Sequence, residues 1–134
     1  MDRDIKKLRV GVIGCGRISV MHLVPAKVLS QAELVACCDI KKDRADETAA
    51  KYGVKAYYDY AEMINEEKLD AVHICLPHYL HVPVAIYAMR RGVNVLSEKP
   101  MAINAADAEK AVETAKETGA LYGVIFQCRY NNSA

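Results

Sequence analysis

The stretch that decides the fold is LRVGVIGCGRIS, residues 8–19. Its first half is an apolar run of strand length, and it continues directly into Gly14-Cys15-Gly16 and then into a segment of helical character. A strand, a glycine-rich turn and a helix in this order predict a site for the phosphates of a dinucleotide. An ordinary glycine-rich turn without a ligand is the alternative.

Each residue of this turn has a predicted task. Gly14 permits the tight turn, and Gly16 lets the backbone come close to a pyrophosphate. The amides of Arg17 and Ile18 lie at the start of the helix, where they would face the anion. Ser19 stands where the motif has its third glycine, and its small side chain still allows the helix to pack against the strand.

The predicted second contact to a dinucleotide is Asp39, at the end of the second apolar run and about 20 residues beyond the glycine motif. A carboxylate there accepts hydrogen bonds from ribose hydroxyls and repels a 2′-phosphate, which favours NAD. NADP stays possible because Lys41, Lys42 and Arg44 follow and could reach a 2′-phosphate. A solvated helix start for these cations, and a helix-capping role for Asp39, are the alternatives.

Further along the chain, apolar runs of strand length alternate with stretches of helical period, which is typical of a parallel sheet built from βαβ units. The predicted strands are Leu8–Ile13, Glu33–Cys38, Val54–Tyr57, Ala71–Leu76, Val93–Ser97 and Leu121–Gln127. The predicted helices are Arg17–Ser30, Arg44–Tyr52, Tyr60–Asn65, Pro83–Arg91 and Ala105–Thr118. The fold class expected is α/β, a Rossmann-type doubly wound, mainly parallel six-stranded sheet with helices on both faces.

Two helices allow more detailed predictions. In the last one, Asn104 is placed to cap the free amides and Gly119 to adopt the left-handed conformation after the final turn. Its apolar stripe is predicted to consist of Ala108, Ala111, Val112 and Ala115. Pro25 lies inside the first helix and is expected to kink or split it, because proline removes a backbone donor.

Composition excludes several functional classes. The chain has 134 residues, 52% of them hydrophobic, which suits one domain with a real core. Its 18 basic and 17 acidic residues nearly cancel, so neither nucleic acid nor an acidic membrane surface is an expected partner. No apolar run has the length of a membrane helix. Five cysteines without C-x-x-C spacing predict a reducing, cytoplasmic location with no disulfide framework and no zinc site.

Two more segments follow the fourth and fifth predicted strands: LPHYLH, residues 76–81, and SEKP, residues 97–100. In a doubly wound sheet both lie at the carboxyl ends of strands, where ligands bind. Together with the glycine turn and with the stretches at residues 92–100 and 123–131, they resemble the Gfo/Idh/MocA family of oxidoreductases. The resemblance covers essentially the whole chain.

The resemblance implies particular roles. Lys99 of the Glu98-Lys99-Pro100 motif is the implied catalytic residue, beside the nicotinamide and the substrate hydroxyl, and the bond before Pro100 is expected to be cis. Glu98 and Lys99 are also implied in binding the cofactor, as is the segment with Leu76, Pro77, His78 and His81. Leu76 and His78 stand where the family usually has threonine and asparagine, so the resemblance implies no polar side-chain contacts to the cofactor from these two residues. His22 and His73 are taken as structural or incidental.

The resemblance also implies a domain organisation. Residues 1–134 match the NAD(P)-binding Rossmann domain, and the family's C-terminal domain, which binds the substrate and forms oligomers, is absent from this sequence. A sugar, polyol or related hydroxy compound is the implied substrate. We expect NAD(H) binding without turnover, and self-association through an apolar face near the sixth strand. The sequence alone leaves two alternatives, an S-adenosylmethionine-dependent methyltransferase and a non-catalytic dinucleotide-sensing module.

Overall fold

The computed structural model describes residues 6–132 and contains one six-stranded sheet. All neighbouring strands pair in parallel, in the order β3-β2-β1-β4-β5-β6. The strands are β1 (Leu8–Ile13), β2 (Ala32–Cys38), β3 (Lys55–Tyr57), β4 (Ala71–Ile74), β5 (Asn94–Ser97) and β6 (Tyr122–Val124). The α-helices are α1 (Val20–Val28), α2 (Lys42–Tyr52), α3 (Tyr60–Glu66), α4 (His81–Met89) and α5 (Ala105–Thr118). The predicted doubly wound α/β fold is confirmed, and the sheet is wholly parallel.

Apolar side chains from both faces of the sheet form two separate clusters. On one face Val10 and Val12 pack with Leu23 of α1 and Ala49 of α2. The other face packs against α3 and α4, and α5 contributes the partly buried Ala115 to the same cluster. Because alternate residues of a strand point to opposite faces, a sheet covered on both sides needs nearly continuous apolar strands. This explains why the strands are readable in the sequence as apolar runs.

The first helical segment differs from its prediction. Arg17–Ser19 forms a short 3₁₀ helix, and α1 then runs unbroken from Val20 to Val28 with Pro25 inside it. The predicted split at Pro25 is therefore wrong. Proline removes only one donor from the helix, and the burial of Leu23 and Ala26 against the sheet keeps the segment in place.

The last helix begins and ends as predicted. The Asn104 side chain accepts a hydrogen bond of 2.8 Å from the amide of Asp107, and Gly119 has φ 72°. The apolar stripe was predicted wrongly at Val112, which is 38% exposed. Thr114 is buried instead, and its hydroxyl donates to the Lys110 carbonyl, which makes a polar side chain tolerable there.

Strands β4 and β6 are shorter than predicted. β6 pairs only with β5, and its last partner is Ser97, so the strand ends at Val124 rather than at residue 127. Residues beyond it form a 3₁₀ helix, Gln127–Tyr130. Periodicity in the sequence cannot show where a partner strand stops.

Across residues 6–132 we also find no helix with the length and apolarity needed to cross a membrane.

Candidate functional site

The carboxyl ends of β1, β2 and β4 meet at one edge of the sheet and enclose a cleft of about 330 Å³. The residues that line this cleft and that the sequence singled out are Gly14, Gly16, Asp39, Lys41, Arg44, Leu76 and Pro77. Tyr79 and Leu80 line it as well and were not predicted. Segments distant in the sequence are therefore assembled around one space.

The two glycines of the turn are required for different reasons. Gly14 has φ 96°, and a Cβ there would lie 2.2 Å from the Cys75 carbonyl oxygen, so the fold itself needs glycine. Gly16 has φ −78°, and a Cβ there would meet only the Arg44 guanidinium, at 3.8 Å. The space in front of Gly16 is therefore open to a ligand.

The helix start beside Gly16 is shaped by Ser19. This side chain is buried, and its hydroxyl donates to the Gly16 carbonyl over 2.6 Å. The bond holds the turn on the 3₁₀ segment that contains Arg17 and Ile18. Amides in the first turn of a helix lack partners within the helix, which makes such a start a favourable place for an anion.

Asp39 is only 9% exposed and closes one side of the cleft. Its Oδ2 accepts from the Cys15 amide at 3.0 Å, and its Oδ1 accepts from the Lys41 amide at 2.8 Å. The N-cap of α2 is Lys41, so the helix-capping alternative for Asp39 is not what the structure shows. An ionised carboxylate offers about four acceptor positions, and two of them remain for a ligand.

The three cations after Asp39 are not equivalent. Lys41 and Arg44 line the cleft, whereas the Lys42 ammonium lies 5.2 Å from the centre of the Tyr58 ring. Two positive side chains are thus present beside the carboxylate that was predicted to favour NAD.

A second, mostly apolar pocket of about 270 Å³ adjoins the cleft and shares Asp39, Ile40, Leu76 and Leu80 with it. Its remaining walls include Tyr58 and residues of β1 and α4. A glycine-walled space that also contains Asp39, Lys41 and Arg44 and that continues into an apolar pocket fits a phosphorylated nucleoside with a flat base. The residues present are therefore compatible with a dinucleotide cofactor.

The turn after β5 contains the second group of predicted site residues. The Lys99-Pro100 peptide bond is cis, as the resemblance implied. Glu98 is buried, whereas Lys99 is exposed and borders a shallow cleft of about 320 Å³ with Phe126 and Gln127. An ammonium in this position is accessible to a ligand at the sheet edge.

His81 requires a correction. It is 0% exposed, its Nδ1 lies 2.7 Å from the Pro100 carbonyl oxygen, and its Nε2 lies 2.7 Å from that of Leu76. A side chain without accessible surface cannot touch a cofactor, so the predicted direct contact is wrong for this ring. His81 instead joins the loop after β4 to the turn after β5. His78 is exposed, and its predicted cofactor contact stays a prediction.

A polar cluster beneath the Lys99 turn, in which His22 and Glu98 are buried and His73 is half-buried, was not predicted from the sequence. His22 Nε2 lies 2.7 Å from Glu98 Oε1, and His22 Nδ1 lies 3.2 Å from His73 Nδ1. Burial, and then the neighbouring His22, lower the pKa of His73 to about 4. Residues 22, 73 and 98 come from α1, β4 and the end of β5. The only signal in the sequence was a histidine on a helix face that the fold buries.

The cysteines are all unpaired, and Cys15 alone lies in the glycine turn. The neighbouring Cys37 thiol lowers the pKa of the Cys15 thiol, and this effect outweighs the opposing effect of burial. Within the described part of the chain, no three potential metal ligands among His, Cys, Asp and Glu lie close together.

Comparisons with known proteins identify the family. The profile of the Gfo/Idh/MocA oxidoreductase family, NAD-binding Rossmann fold, matches residues 8–126. Myo-inositol 2-dehydrogenase of Thermotoga maritima is 34% identical over 94% of this chain and 38% of its own length. The crystal structure of the WlbA dehydrogenase from Bordetella pertussis, in complex with NADH and UDP-GlcNAcA, superposes with TM-score 0.91 and 32% identity, covering 96% of this chain and 39% of that one.

A 3-ketoreductase from Actinomadura kijaniata, crystallised as a mutant with TDP-benzene and NADP, has TM-score 0.88 and 29% identity over 96% of this chain and 41% of its own. The chain thus spans about two fifths of the length of these relatives. The methyltransferase alternative is not favoured by any of these matches. This chain belongs to the Gfo/Idh/MocA oxidoreductase family and is similar to its NAD-binding Rossmann domain.

Proposed function

We propose that this chain binds a nicotinamide dinucleotide as part of an oxidoreductase acting on a sugar, polyol or related hydroxy compound. The observation that carries the proposal is the cleft in which Gly14, Gly16 and Asp39 face the loop after β4, with Lys99 exposed at the same edge of the sheet. The proposed substrate class comes from two relatives. One is an inositol dehydrogenase, and the other was crystallised with a sugar nucleotide.

The residues present can hold each part of such a cofactor. The amides at Arg17 and Ile18 and the open face of Gly16 would bind the pyrophosphate. The two free acceptor positions of Asp39 would bind ribose hydroxyls, and the neighbouring apolar pocket would take the adenine. Leu76, Pro77 and the adjoining His78 would line the path toward the nicotinamide, together with Glu98 on the turn after β5.

In the proposed reaction, Lys99 exchanges a proton with the hydroxyl group of the substrate. When bound, the cofactor supplies the group that accepts or donates hydride. The Nζ of Lys99 can orient the hydroxyl: as the neutral amine it would take up the hydroxyl proton during oxidation, and as the ammonium it would return a proton during reduction. We propose Lys99 as the catalytic residue of this chain.

We propose that NAD is preferred over NADP. Asp39 is nearly buried and its carboxylate is held by two backbone amides, so it cannot easily turn away from a 2′-phosphate. Lys41 and Arg44 moderate this repulsion. Replacing Asp39 by serine should therefore narrow the preference for NADH over NADPH by about tenfold or more. Asp43→Asn, which removes an exposed charge from the first turn of α2, is the matched control.

The sharpest test of the proposed function uses Gly16. The negative φ at this position does not require glycine, and a Cβ there would meet only the Arg44 guanidinium, at 3.8 Å, whereas a valine side chain would fill the space where the pyrophosphate would lie. The wild-type chain should bind NADH saturably, as followed by cofactor fluorescence, and Gly16→Val should keep the melting temperature within a few degrees while losing binding. Wild-type protein that binds S-adenosylmethionine, or that does not bind NADH, would refute the proposal.

We also propose that the isolated chain turns over no substrate, because it spans only 38% of its inositol dehydrogenase relative. An assay with myo-inositol and NAD should show no NADH formation at protein concentrations that saturate binding. Measurable turnover that Lys99→Met abolishes would contradict this part alone.

Self-association with a second copy is proposed for the region around β6. Leu121 and Phe126 are large apolar side chains, 75% and 51% exposed. Light scattering should show a mass that increases with concentration, and Leu121→Lys should reduce the increase. A constant monomer mass at high concentration would contradict the proposal.

A further inference from the structure

We propose that His22 is a positioning residue for Lys99: it holds the Glu98 carboxylate and thereby fixes the turn that presents the lysine. The inference rests on the proposed function and deepens it. His22 itself touches neither the nucleotide cleft nor the exposed ammonium. It lies on α1, the helix that follows the phosphate-binding turn, and it reaches across to the end of β5.

The first step of the argument is the burial of a carboxylate. The side chain of Glu98 is 11% exposed and that of His22 is 2% exposed. A buried carboxylate is costly unless a hydrogen-bond donor compensates it. The His22 ring nitrogen at 2.7 Å is that donor. If His22 is removed, the Glu98 carboxylate loses this donor and has to move toward water.

The second step is the arrangement of protons. An ionised carboxylate can only accept, so Nε2 of His22 donates to Glu98. His22 Nδ1 then shares one proton with His73 Nδ1 at 3.2 Å. In a neutral His22 ring that donates from Nε2, Nδ1 is an acceptor, so the Nδ1 of His73 donates to it. His73 thus fixes the orientation of His22, as His22 fixes that of Glu98.

The third step is the connection to Lys99. The Glu98 amide donates to the Ile74 carbonyl, and the Ser97 hydroxyl donates to the Glu98 carbonyl. On the other side of Lys99, the Pro100 carbonyl faces the buried His81 ring. Lys99 therefore lies between two residues that contact buried histidines. Glu98 contacts His22 through its side chain, and Pro100 contacts His81 through its backbone carbonyl. If the Glu98 side chain loses its contact with His22, one of these two contacts is lost.

This role predicts an effect confined to one end of the ligand. ADP-ribose contains the parts that the glycine turn and Asp39 would bind, but it lacks the nicotinamide. NADH contains these same parts and the nicotinamide. A purely structural role of His22 in α1 would weaken both ligands alike. A role through the Lys99 turn weakens NADH alone.

The experiment compares His22→Leu and His22→Gln in the full chain, with NADH measured by fluorescence and ADP-ribose by calorimetry. His22→Leu removes the donor, and we expect about tenfold weaker NADH binding, as is typical when a supporting partner is lost, with ADP-ribose changed less than about twofold. Glutamine keeps an N–H donor near the position of Nε2 and should recover most of the NADH affinity. Leu23→Val, a buried apolar change on the same helix, controls for lost stability and should leave the ratio of the two affinities unchanged.

A measurement on the wild type covers the case in which His22→Leu does not fold. Nitrogen-15 NMR of the histidine rings should show a protonated Nε2 for His22, and NADH but not ADP-ribose should shift this resonance. Equal weakening of both ligands, failure of glutamine to rescue, or a His22 ring that does not sense NADH would overturn the inference. If the wild type binds neither ligand, the proposed function fails instead, so the two failures are distinguishable.

Discussion

The turn after β1 and the turn after β5 lie at the same edge of the sheet but are built differently. The glycine turn is formed by consecutive residues, with the Ser19 hydroxyl bonded back to the Gly16 carbonyl, and one distant side chain, Asp39, accepts from its Cys15 amide. The Lys99 turn depends on side chains from distant segments, His22 and His81, which contact Glu98 and Pro100. A local motif can therefore be read from the sequence, whereas an assembled support can be recognised only in the fold.

The largest predicted effect tests how local the glycine turn is. Gly14→Ala introduces a Cβ 2.2 Å from the Cys75 carbonyl oxygen, at a φ of 96°. We expect a loss of roughly 4 kcal/mol or more of unfolding free energy, because both a clash and backbone strain have to be relieved, and no detectable NADH binding. Urea denaturation and NADH titration measure the two quantities.

Gly53→Ala is the matched control for this change. Gly53 also has a positive φ, 66°, but nothing lies within 4 Å of a Cβ there. Its cost should be about 1–2 kcal/mol, the strain of a left-handed residue alone. Equal costs for the two variants would show that the contact of the turn with β4 is unimportant.

The second prediction concerns acid and the histidine cluster. The folded pKa of His73 is lowered to about 4 from an ordinary value of 6.5. Above pH 6.5 the ring is neutral in both states and has no effect. Between pH 6.5 and 4 the unfolded chain binds the proton more tightly, so stability falls as the pH falls, by up to about 3 kcal/mol in total.

His73→Gln keeps a polar side chain but does not titrate. Its unfolding free energy, measured by urea denaturation from pH 7 to 4, should lack this part of the decline. His22 contacts His73, and Glu98 contacts His22; both residues are present in the variant and in the wild type. Parallel pH profiles for variant and wild type would contradict the assignment to His73.

The third prediction tests the second support of the Lys99 turn. His81→Leu leaves the carbonyls of Leu76 and Pro100 without the ring that they face in a buried position. We expect a loss of about 2 kcal/mol, the cost of leaving buried polar groups unpaired. The exposed His78→Leu should change stability by no more than about 0.5 kcal/mol. Comparable losses in the two variants would mean that the histidine contacts contribute little to holding the two loops together.

The smallest effect is predicted for a purely local feature. Asn104→Ala removes the side chain that accepts from the Asp107 amide at the start of α5. The cost should be about 1 kcal/mol, which is typical of a lost N-cap, and NADH affinity should not change. Asn104→Ser, which keeps a capping oxygen, should recover most of the stability. A change in NADH affinity would show that α5 is coupled to the site.

The features of the fold that were predicted correctly from the sequence are those set by local signals. The bounds of β1 and α5 agree with their predictions, because an apolar run and a pair of capping residues are local signals. The end of β6 was predicted wrongly since it depends on where β5 stops pairing. The burial of Val112 was also wrong, because the position of a residue on a helix does not say how far the neighbouring layer extends.

The sequence by itself determined the alternation of strands and helices, the glycine turn, Asp39 at the end of β2 and the Glu98-Lys99-Pro100 segment. These features are encoded in short-range patterns of apolar, glycine and charged residues. The tertiary structure alone decided that His81 is enclosed between two carbonyl groups and that His22, His73 and Glu98 share one buried cluster. Contacts between residues more than 50 positions apart, such as that between His22 and His73, depend on the strand order and on helix packing. They cannot be predicted from a local sequence pattern.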